Sequence, residues 1–161
     1  MDVPRWRRSP AQSPQHWKRA APVLKRVLGL GVILALVGAG CDSGGRLGAK
    51  ALLQQSKSLQ SEAAEGALLA QDAVSGKTTG IYTREHASAL YRAASQIDAS
   101  LKVAQTEAAL EPKLRQLAIL ARQISADLRR LGSASEDEKR TLTRELQAAA
   151  QASQRIGEGL T

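Results

Sequence analysis

The sequence predicts an all-α protein whose body is an antiparallel four-helix bundle. Three observations carry this. Small and aliphatic residues recur at steps of three and four from about residue 49 to the end, which is the helical period. Strand-like alternation is found nowhere. Glycine, proline and capping residues divide the periodic region into four stretches joined by short connections, which favours antiparallel neighbours.

The first helix is expected from about Ala49 to Ser75, with Leu52, Ser56, Leu59, Ala63, Gly66, Ala70 and Ala73 on its inner stripe. Gly76 stands where a helix commonly turns left-handed at its end. The second is expected from about Arg84 to Ala109, with Thr83 as its N-cap. Its stripe is Ala87, Leu90, Ala94, Ile97, Leu101, Ala104 and Ala108. Pro112 ends that helix and opens the third. The third stripe is Leu114, Leu117, Ala121, Ile124, Leu128 and Leu131, closed by Gly132. Ser135 followed by Glu138 forms a capping box for the fourth. Leu142, Leu146, Ala149, Ser153 and Ile156 line it, and Gly157 and Gly159 end it. Seams this rich in Ala, Gly and Ser let helices approach closely but bury modest apolar area. Completion by a partner or by self-association, including a coiled-coil dimer, is therefore an expectation.

Residues 1–40 are different. They hold seven of the 23 Lys and Arg residues against one acid, Asp2, and four of the five prolines. The 121 residues that follow are close to neutral despite the overall charge of +8. Their only aromatics are Tyr82 and Tyr91. A near-neutral body with few rings offers neither a phosphate footprint nor a stacking platform, so no nucleic acid is expected as a partner.

Residues 27–40, VLGLGVILALVGAG, carry no charge and lie between Lys25-Arg26 and Asp42. A bilayer-spanning helix needs about 20 apolar residues. A shorter uncharged run behind a basic segment fits the core of a secretory signal. Gly38, Ala39 and Gly40 then precede the only cysteine, Cys41. This stretch resembles the lipobox of bacterial lipoproteins, usually Leu-Ala/Ser-Gly/Ala-Cys. Gly38 stands where Leu is usual, and Val37 lies one step early. The resemblance implies a diacylglyceryl group on the Cys41 sulfur, cleavage before Cys41, palmitate or another acyl chain on its new amino group, and a membrane-anchored protein of the cell envelope. Asp42 resembles the residue that retains some lipoproteins in the inner membrane. The chain thus divides into a signal peptide (1–40), a lipidated cysteine with a flexible tether (41–48), and a helical domain (49–161).

The chemistry expected of the helical domain is sparse. SGKTTG, residues 75–80, evokes a phosphate loop, but Gln71 stands where that pattern needs Gly, and a helix precedes it. His86 is the only histidine after residue 40, so neither a metal site nor a haem motif is expected. No nucleophile elbow is present. The expectation is a non-enzyme without cofactors.

The most distinctive stretch is GIYTREHASALY, residues 80–91. Ile81 and Tyr82 are expected in a turn, with His86 in the first helical turn, where the dipole favours neutral imidazole. Ile81, Tyr82 and His86 would then form a small recognition patch, or Ile81 and Tyr82 would staple the loop onto the bundle end. The staple is the favoured reading. The role expected overall is interaction or structural support in the envelope. The alternatives are an uncleaved inner-membrane coiled-coil protein and a small-ligand binder near Tyr82 and His86.

Overall fold

A computed structural model describes residues 46–161. Cys41, the signal segment and most of the tether lie outside the described residues. The body consists of α1 (Ala49–Val74), α2 (Gly80–Val103), α3 (Glu111–Leu131) and α4 (Glu136–Glu158). It is the predicted all-α four-helix bundle.

The helices run up, down, up and down. Ser56 near the start of α1 donates to the Ser153 carbonyl near the end of α4 at 2.6 Å. The backbone at Leu47, just before α1, donates to the Gln105 carbonyl just after α2 at 2.7 Å. Gly132 at the end of α3 lies against Arg84 near the start of α2. One end of the bundle therefore gathers the start of α1, the end of α2, the start of α3 and the end of α4. The opposite end gathers the other four termini.

α1 packs most extensively on α4, and α2 on α3. Small residues let α1 lie close against α3 and α4. A Cβ at Gly66 would collide with Leu128 Cδ2 and stand 3.2 Å from Leu146 Cδ1, and one at Gly157 would stand 2.9 Å from Ser56 Oγ. Leucines fill the centre: Leu52, Leu59, Leu117, Leu128, Leu131, Leu142 and Leu146 are fully or almost fully buried, with Ile124 among them. Every residue of the expected third stripe is buried.

Three boundaries differ from expectation. α2 begins at Gly80, not Arg84, because Thr79 rather than Thr83 is its N-cap, its Oγ1 accepting from the Tyr82 amide at 3.2 Å. Thr83 is instead buried, its hydroxyl donating back to the Thr79 carbonyl at 3.0 Å. α2 also stops at Val103 rather than Ala109. There the chain extends so that Gln105 bridges Arg46, and Thr106 Oγ1 donates to the Leu47 carbonyl at 2.6 Å. Gly157 does not end α4 but lies inside it, and Gly159 is the C-cap.

The remaining caps follow the sequence. Gly76 has φ 68°. The Gly76 amide donates to the Ala73 carbonyl and the Lys77 amide to the Asp72 carbonyl, the paired bonds of a Schellman ending. The capping box of α4 is complete: the Glu138 amide donates to Ser135 Oγ, and the Ser135 amide donates to Glu138 Oε2 at 2.8 Å. The Ser135 amide and then the Ser135 hydroxyl, which also donates to Glu138 Oε2 at 2.9 Å, hold the Glu138 carboxyl below its usual range.

Candidate functional site

The early start of α2 decides the fate of the distinctive stretch. Ile81 and Tyr82 belong to the first helical turn rather than to a loop. They do not staple the bundle end: Ile81 is 76% exposed and Tyr82 53% exposed. The stapling expectation is corrected by the cap position, which rotates both side chains outward. His86 becomes the seventh residue of α2, beyond the first turn in which a helix dipole acts strongly.

Tyr82 and His86, one turn apart, stack with centroids 5.5 Å apart and planes inclined by 10°. On the other side of the seam, His86 Nε2 meets Glu65 Oε1 of α1 at 2.7 Å. Glu62, one turn back along α1, shares this seam. One of its carboxylate oxygens is buried without a hydrogen-bond partner among the described residues. Burial, then the neighbouring Glu65 charge, pushes the Glu62 carboxyl up to about 7, against a smaller opposing pull from His86. Leu68, three residues beyond Glu65, is also exposed. Exposed Tyr82, with exposed Ile81 preceding it, thus stands beside a histidine–carboxylate pair.

A second polar cluster lies on the α3–α4 seam. Arg130 Nη1 stands 3.7 Å from Asp127 Oδ1 and 4.0 Å from Glu145 Oε2. Burial and then Glu145 push the Asp127 carboxyl up, with Arg130 opposing. Through Glu145 the Arg130 guanidinium links α3 to α4.

Among the described residues no group of three or more His, Cys, Asp or Glu is placed to hold a metal ion. No described helix is long and apolar enough to cross a membrane. Residues 75–79 of SGKTTG form the turn between α1 and α2, and Gly80 opens α2, so the stretch is not a strand-to-helix phosphate loop.

Two grooves run between helices, and neither is lined by Tyr82 or His86. One lies between α2 and α3 and the other between α1 and α4. No protein-family model, curated protein or solved structure matches the chain.

The sequence singled out Ile81, Tyr82 and His86 but missed their α1 partners Glu62 and Glu65. Two acids three residues apart on a polar helix face are too common to mark a site. Only the fold places them opposite His86.

Proposed function

We propose that this chain is a bacterial envelope lipoprotein, anchored through acylated Cys41, whose helical domain is a non-catalytic interaction module. The observation that carries the anchor is the placement of the sole cysteine directly after Gly38-Ala39-Gly40, at the end of an uncharged run behind a basic segment. Two acyl chains on such a cysteine hold a protein stably on a membrane. The mature chain then lies on the extracytoplasmic side.

The bundle's geometry supports a division of labour between its ends. Cys41 precedes Arg46 by five residues, at most about 18 Å of chain. That tether reaches the end of the bundle where α1 begins. Ile81 and Tyr82 lie at the opposite end, where α1 stops and α2 starts. The 26 residues of α1 make this separation about 39 Å by the helical rise. An upright bundle would present the Ile81–Tyr82 edge away from the membrane, toward envelope partners or a second copy.

A photo-crosslinking residue at Ile81, compared with one at exposed Ser61 on the outer face of α1, tests the interaction surface in intact envelopes. A discrete crosslinked species at 81 that is absent at 61 supports the reading. No crosslink at 81, either to a partner or to a second copy, contradicts it.

A further inference from the structure

The groove between α2 and α3 has a volume of about 330 Å³ and lies at the end where α2 begins and α3 stops. Its floor is apolar: Ala87 and Leu128, with half-buried Tyr91 beside them. Its rim is cationic and hydroxylic, formed by Arg84, Ser88, Arg129 and Ser133. Arg92 reaches the same rim, its Nη1 donating to Ser88 Oγ at 2.9 Å. No carboxylate lines the groove.

Arg84 and Arg129 thus line one small depression, and Arg92 stands next to it through Ser88. Among the described residues none of the three forms an ion pair, whereas Arg115 and Arg130 on α3 each do. Arg129 in the last turn of α3 complements the helix dipole, but Arg84 lies near the start of α2, where a cation gains nothing from it. The Arg84 stem is held against the end of α3: a Cβ at Gly132 would stand 3.5 Å from Arg84 Cγ. Uncompensated arginines over an apolar floor repel one another and gain from an anion. Guanidinium groups bind phosphate oxygens through paired, charge-assisted hydrogen bonds. A cavity of this size matches a small molecule rather than a folded partner.

We propose that this groove binds a small organic phosphate, its phosphate held by Arg84, Arg129 and Arg92 and its apolar body laid against Leu128 and Tyr91. The site lies on the face of α2 opposite to His86, and it does not depend on how the chain is anchored.

Calorimetric titration of the full chain with octyl phosphate, below its micellar concentration and at low salt, tests the proposal. The expected result is one saturable site, weakened about ten-fold or more in Arg84→Ala/Arg129→Ala and unchanged in Arg115→Ala. Both substituted side chains are exposed, so circular dichroism of the double variant should match the parent. Inorganic phosphate should displace octyl phosphate from the parent, a result that needs no variant. Octyl glucoside, with the same tail and a neutral head, should not bind. Absence of saturable binding, equal binding by the double variant, failure of phosphate to compete, or equal binding of octyl glucoside would each overturn the proposal. So would arginine-dependent attachment to phosphatidylglycerol vesicles without octyl phosphate binding, which would make the groove a membrane-contacting surface instead.

Discussion

Glu62 shows how one side chain couples the α1–α2 seam to pH. Folding raises its carboxyl from 4.5 to about 7. Between those values the native chain holds a proton that the unfolded chain has released, so stability falls as pH rises through that window. Glu62→Gln removes the ionisation. The variant should be more stable than the parent at pH 8, by about 1 kcal/mol once solvent screening of the half-exposed carboxyl is discounted. At pH 4.5 the two should melt alike. Thermal melts at both values check this, and an equal gap at both would contradict it. Gly66 makes a different point. Its missing side chain lets α1 approach Leu128 and Leu146. Gly66→Val should overpack that contact and cost about 2 kcal/mol, lowering the melting temperature by roughly 8 °C. An unchanged melting temperature would show that the leucines yield freely.

At the scale of single helices, caps and long-range bonds divided the work. Ser135→Ala removes the cap acceptor for the Glu138 amide and should destabilise the domain by about 1 kcal/mol, read by chemical denaturation. The capping box, the Gly76 turn and the leucine stripe of α3 were legible in the sequence because each depends on residues a few positions apart. The ends of α2 were not. Thr79 and Thr83 are equally good caps by composition, and the choice followed the burial of Thr83. The alanines at 104, 108 and 109 favour helix, yet α2 stops at Val103. There, bonds from Leu47 and Thr106 recruit a segment nearly 60 residues away in sequence. Local propensity lost to a tertiary contact that no local pattern encodes. Of the candidate site, the Tyr82–His86 pair could be read from four-residue spacing. Their exposure, and the partnership with Glu65, required the α2 start and the helix order.

For the whole molecule, the up-down-up-down path fixes what each end can do. The chain enters the bundle at one end, and the Ile81–Tyr82 edge and the arginine groove both lie toward the other. A lipid on Cys41 would make that polarity functional, with one end held at a membrane and the other free to engage partners or ligand. Everything in that division of ends depends on the anchor, and the intact mass of the protein extracted from membranes of its own host reports on it. A lipidated protein begins at Cys41 and carries a diacylglyceryl increment, which is the expected mass. A chain that retains residues 1–40 without lipid would contradict it.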